Sequence, residues 1–220
     1  VVDLPDDHPR PERRSLRGGT VFHSIDGDLA KAVRKSGAKH GCTMFAATLA
    51  AMQLLVHRLT GERDIVLGVP CAGQQGLPDP SLVGHCVNFL PIRAPIAEGA
   101  SVADHLGVAG QRFFDALGHS DTTLGSILAD LNLPRQIDSL PLTSIEFNLE
   151  KSAEAAGMAG LETEFRNNAK VAVTFDLVFN VVDTGEGFLI EAHYNADLYD
   201  PETVRDWARA YEQVLTAIAM

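Results

Sequence analysis

Residues 43–73, TMFAATLAAMQLLVHRLTGERDIVLGVPCAG, hold two different apolar patterns separated by Gly61. In the first, Phe45, Leu49, Met52, Leu55, Val56 and Leu59 cover most of the circumference of a helix, with Thr43 placed to cap it and Gly61 to stop it. A helix apolar nearly all round is a buried one. The second, DIVLGVP (64–70), is a short continuous apolar run, the pattern of a strand inside a sheet covered on both faces.

Working outward, GTVFHSID (19–26) alternates as a strand. DLAKAVRKSGAKHG (28–41) follows as an amphipathic helix, with Asp28 as its N-cap and Gly37 and Gly41 interrupting or ending it. SVADHLGVAGQRFFDALGH (101–119) sets Val102, Leu106, Ala109, Phe113 and Leu117 at helical spacing, and TLGSILADLNL (123–133) reads as a second, shorter helix. The period then switches. In LTSIEFNLE (142–150), Ile145, Phe147 and Leu149 alternate with Ser144, Glu146 and Asn148, so one face is apolar and the other polar. FDLVFNVV (175–182), the turn DTGEG and FLIEAHYN (188–195) make a hairpin, with Phe175, Leu177, Phe179 and Val181 on one face. The last segment has Asp200 as N-cap, Pro201 at the first helical position and a stripe of Val204, Trp207, Tyr211, Val214, Leu215 and Ile218 that must dock on a sheet. The expected class is α/β: one lobe, a mixed β-sheet with helices packed against it, and no internal repeat.

Composition narrows the function classes. A net charge of −11 over 220 residues argues against nucleic acid or an anionic membrane as partner, since both need clustered cations. The basic cluster Arg10, Arg13, Arg14 and Arg17 lies in a Pro-rich stretch and reads as a solvated linker, or alternatively as a contact with a carrier or another lobe. The three cysteines form no CxxC pair, so neither a disulfide framework nor a metal site is expected, and a reducing, cytoplasmic compartment fits. No signal-peptide pattern opens the sequence, and no apolar run reaches membrane-spanning length.

Candidate nucleophiles and bases each have a plainer reading. His85 and Cys86 are neighbours, and neighbours on a strand point to opposite faces, so they cannot form a Cys–His pair there. His23 near Asp26 fits a strand end followed by a cap. His57 reads as a satisfied histidine near a helix end, His193 as half exposed on the last hairpin, and Asp121 as a cap. Phosphate loops, a Gly-x-Ser-x-Gly elbow and paired metal ligands at i, i+4 are all missing from the sequence.

Taken in order, the segments resemble the second half of a nonribosomal peptide synthetase condensation domain. VGHCVNFLPIR (83–93) is similar to the family motif [IV]-G-x-F-V-N-T-x-x-x-R: Gly84, Val87, Asn88 and Arg93 match, while Cys86 replaces Phe and Phe89 replaces Thr. HSDTTLGSIL stands where H-Q-D-x-P-F-E would be, matching at His119 and Asp121. PRQIDSLPL resembles R-D-x-S-R-N-P-L, matching at Arg135, Pro141 and Leu142, with Leu140 in place of Asn. The closing hairpin and helix are similar as well.

The resemblance implies a chloramphenicol acetyltransferase-like fold of two lobes around a tunnel, with residues 1–18 as the inter-lobe linker and 19–220 as the C-terminal lobe. The family's H-H-x-x-x-D-G motif belongs to the first lobe and has no match here, so the resemblance assigns no catalytic residue and implies that the chain alone is inactive. It implies no cofactor bound by the chain, the phosphopantetheine arm coming from carrier proteins. Those carriers, an N-terminal condensation lobe and adjacent synthetase domains are the implied partners. Asn88 is expected to clamp a neighbouring loop, and Arg93 to pair with an acid or face solvent. Asp176 would anchor a loop or touch the bound arm, and Ser144, Glu146 and Asn148 would line the tunnel. Rival readings are an inactive docking module, an ester-forming, cyclising or epimerising relative, and an unrelated hydrolase using Cys86.

Overall fold

The hydroxyl of Thr43 accepts from the Ala46 amide at 3.1 Å, and Gly61 turns the chain away at φ 75°, so the central helix α2 (Met44–Thr60) starts and stops where its sequence says. Its residues from Ala46 to Met52, with Leu55 and Val56, are at most 1% exposed. The computed structural model describes residues 2–73, 81, 83–133, 140–152, 160–163 and 167–220. Along the chain the elements are β1 (Gly18–Ile25), α1 (Gly27–Lys39), α2, β2 (Asp64–Ala72), β3 (Val87–Pro95), α3 (Val102–Leu117), α4 (Leu124–Leu131), β4 (Ile145–Lys151), β5 (Leu177–Asp183), β6 (Phe188–Asn195) and α5 (Pro201–Ala219).

The strands form one six-stranded mixed sheet in the order β1-β6-β5-β4-β2-β3. The pairs β2–β4 and β4–β5 are parallel; the other three are antiparallel. Helix α1 packs on α2 and α5, and helices α2, α3 and α5 pack on the sheet. There the alternating residues Ile145, Phe147, Leu177, Phe179, Val181 and Ile190 meet Leu49, Met52, Tyr211 and Leu215 in a single core. Tyr211 donates its buried hydroxyl to the Thr48 carbonyl at 3.0 Å, tying α5 to α2.

Several local expectations need correction. The cap of α1 is Asp26, whose carboxylate accepts from the Asp28 amide at 2.7 Å; Asp28 sits inside the first turn. Gly37 lies within that helix and packs against α2, where a Cβ would come within 3.2 Å of the Ala47 Cβ. Thr123, not Asp121, caps α4. Helices do not flank β2 on both sides: its second face is covered by a neighbouring side chain. A Cβ on Gly68 would lie 1.8 Å from Phe89 Cζ, so the missing side chain is the space the Phe89 ring fills. Phe175 does not join Leu177 in the core; it precedes β5 and stacks on Phe89 at a centroid distance of 5.0 Å.

The N-terminal stretch is solvated over most of its length but anchored at several points. Val2 and Leu4 are buried, and the Arg10 and Arg14 guanidiniums reach Asp176 at 2.8 and 2.9 Å. Two of the four clustered arginines therefore belong to the interior electrostatics of the fold.

Candidate functional site

Opposite the helices, the sheet presents a row of polar side chains that the register brings together. Asn148 of β4 pairs with Asn180 of β5, and Asn180 with Glu191 of β6. One row over, Glu146 pairs with Val178, Val178 with His193, and His193 with Thr20 of β1. Side chains at paired positions share a face, so both rows except Thr20 line one open concavity of about 300 Å³, together with Glu150, Asn167, Asn168 and Lys170.

The first row is hydrogen-bonded along its length, and the second only between His193 and Thr20. Asn148 Nδ2 donates to Asn180 Oδ1 at 3.0 Å, and Asn180 Nδ2 donates to Glu150 at 2.9 Å and to Glu191 at 3.0 Å. Asn167 Nδ2 reaches both Glu191 oxygens at 3.0 and 3.1 Å, so a carboxylate only 3% exposed is met by several donors. His193 Nδ1 lies 3.0 Å from Thr20 Oγ1, which also accepts from the Lys170 amide at 2.9 Å. His193 is 2% exposed rather than half exposed, and burial pushes its imidazole down to about 4, leaving it neutral. The Glu146 carboxyl is pushed up by burial, an effect that Lys170 partly offsets.

The sequence-derived candidates fall into four places. Glu146 and Asn148 line the concavity. Ser144 does not: it is buried ahead of β4, and its carbonyl accepts from the amides of Asp176 and Leu177 at 2.9 and 3.3 Å. Asp176 is 1% exposed and holds Arg10 and Arg14, so its carboxylate is occupied within the fold. Asn88 Nδ2 donates to the carbonyls of Ser120 and Thr122 at 2.8 and 2.9 Å, fastening the turn between α3 and α4 to β3.

Arg93 both faces solvent and grips Asp64, through Nε and Nη2 at 2.7 and 2.6 Å, which holds the Asp64 carboxyl below its ordinary value. Gly84, Val87, His119, Asp121 and Pro141 are exposed, away from the concavity. Leu142 is half-buried with φ 70°, a left-handed backbone just before β4. Arg135 lies outside the described residues. His85 and Cys86 precede β3 instead of lying in it, and the Cys86 carbonyl accepts from Gly73.

Sequence reading missed Asn180, Glu191, Thr20, Asn167 and Lys170. The signal for two of them was present: Asn180 interrupts LVFNVV and Glu191 interrupts FLIEAHYN, polar residues in otherwise apolar strands that need partners. Among the described residues no group of three or more metal-ligating side chains occurs, and no single helix is long and apolar enough to cross a membrane.

A condensation-domain family model matches residues 1–220. Tyrocidine synthase 3 of Brevibacillus parabrevis is 30% identical over 220 residues, taking in 99% of this chain and 3% of that protein. Surfactin synthase subunit 1 of Bacillus subtilis (strain 168) is 29% identical over 206 residues, 92% of this chain and 6% of that protein. Among solved structures, the X-domain from teicoplanin biosynthesis superposes with a TM-score of 0.88 at 23% identity, covering 99% of this chain and 50% of that one. The condensation domain from the Monacolin K polyketide synthase gives 0.86 at 20% identity, covering 100% and 53%. The chain thus spans about half the length of the solved domains it superposes on, with a chloramphenicol acetyltransferase-like mixed sheet and helical layer. The sequence match over its whole length places the chain in the condensation-domain family.

Proposed function

We propose that this chain is the C-terminal lobe of a condensation domain that joins carrier-tethered acyl and aminoacyl groups by an amide bond in nonribosomal or hybrid polyketide biosynthesis. The observation that carries the reading is the hydrogen-bonded polar face of the sheet, left open by the helices, which we assign as the tunnel wall on this side. Two features support it: membership of the family, and a length about half that of the domains on which the chain superposes.

In this reading the acceptor amine attacks the donor thioester carbonyl, the C–N bond forms, the C–S bond breaks and the carrier thiol leaves. The proton transfer belongs to the histidine motif of an upstream lobe, which these 220 residues do not match. The present lobe contributes orientation of two phosphopantetheine-borne groups, a large share of the rate in such transfers. Carrier proteins, the upstream lobe and adjacent synthetase domains are its partners, and the cytoplasm is its compartment.

The test is an amide-forming assay with two loaded carrier proteins, run on this chain alone and with an upstream lobe carrying H-H-x-x-x-D-G. Product only from the mixture is expected. Product from the chain alone, or none from the mixture, would overturn the assignment.

A further inference from the structure

Glu146 stands apart from its neighbours on the polar face. Asn148, Asn180, Glu150 and Glu191 are tied to one another, and His193 to Thr20, whereas the Glu146 carboxyl makes no hydrogen bond with any described residue. It is nevertheless half-buried and lines the concavity. Its two flanks are apolar. On the β2 side its ladder partner is Gly68, and the Phe89 ring lies on that glycine with Phe175 stacked at 5.0 Å. On the β5 side its partner is Val178. Lys170, also on the concavity, is exposed; its charge favours the ionised carboxyl, but the two share no hydrogen bond.

A half-buried carboxyl between apolar neighbours favours a cation through charge-assisted hydrogen bonding. The apolar flanks would receive an aliphatic stem. We propose that Glu146, whose strand neighbour Gly68 lies under the Phe89 ring, is a specificity-determining residue that selects an aminoacyl group whose side chain ends in an ammonium or guanidinium. An uncharged side chain of equal length offers the carboxyl no charge-assisted contact, and discrimination arises from that difference. Phe89 stands where the family motif has Thr, so the ring over Gly68 departs from that motif.

The inference rests on the tunnel-wall reading, and its test separates the two. Binding of two stable pantetheine thioethers, one carrying ornithine and the other norvaline, is measured on this chain by NMR titration. The ornithine probe is expected to bind about tenfold more tightly, the scale of one charge-assisted contact. Glu146→Gln should bring the two probes to equal affinity, and Phe89→Thr should weaken both. Equal binding, no binding of either probe, or a preference that survives Glu146→Gln would overturn the proposal. Preference without amide formation in the two-lobe assay would keep the selectivity and remove the reaction. Amide formation at equal rates from both side chains, with equal binding, would do the reverse.

Discussion

Asp176 shows how a single residue can look like a site and serve as an anchor. It is 1% exposed between Arg10 and Arg14, whose side chains retain 22% and 12% exposure, and its own amide bonds to Ser144. The N-terminal stretch is thereby bonded to the start of β5. Asp176→Asn would remove the charge that both guanidiniums face; a broken buried pair costs about 3–5 kcal/mol, and their residual exposure brings the expected loss to about 2–3 kcal/mol. Urea unfolding would check this, and a loss within about 0.5 kcal/mol would contradict it. The sequence left Asp176 open between anchoring and arm contact, because its partners lie more than 160 positions away. Asn88 was easier to read: an amide in an apolar strand needs acceptors, and the nearby Ser120 and Thr122 carbonyls supply them.

Single elements carry two further predictions. In the β2–β3 pair, Gly68 is the space that the Phe89 ring occupies, so Gly68→Ala forces the ring off the sheet. The expected cost is about 1–3 kcal/mol, as for other overpacked sites. Phe89→Ala in the same chain should recover part of it, giving a coupling of at least about 1 kcal/mol in a double-mutant cycle; additive losses would show that the ring does not depend on the glycine. Sequence alone shows a glycine in a strand but not which side chain covers it, and the same limit hid the second face of β2.

On β6 and α3, His193 and His105 are both buried and held down to about 4, against an ordinary 6.5. A depressed folded value means that the unfolded chain binds protons first as the pH falls. Their contribution to stability is complete above about 6.5 and is lost on acidification toward about 4. Glu146 acts in the opposite sense: its raised value gives stability that is present below an ordinary 4.5 and lost as the pH rises through its folded value. With the two large histidine shifts against the smaller raised ones of Glu146 and Asp6, the urea midpoint should fall between about pH 7 and pH 5, and His193→Asn should flatten the fall. A midpoint that rises on acidification would contradict this.

At the scale of the whole molecule, most of the architecture was legible because the helices and strands carry clean periods. The stripe of α5, the apolar circumference of α2 and the alternation of β4 each place a core face. The polar face was only half legible. Glu146 and Asn148 follow from alternation within one strand, whereas their link to Asn180, Glu191 and His193 depends on a strand order, β6-β5-β4-β2, that no local pattern states. The central claim is that this face is a tunnel wall over which a carrier's pantetheine arm passes.

The most direct measurement joins the chain to an upstream lobe, adds a carrier bearing a photoreactive pantetheine arm, and maps the cross-linked residues by mass spectrometry. The account predicts labels on β4, β5, β6 and residues 167–170. Labels confined to the helical face, such as the groove of about 450 Å³ between the C-terminal end of α1, the start of α3 and the end of α5, would contradict it.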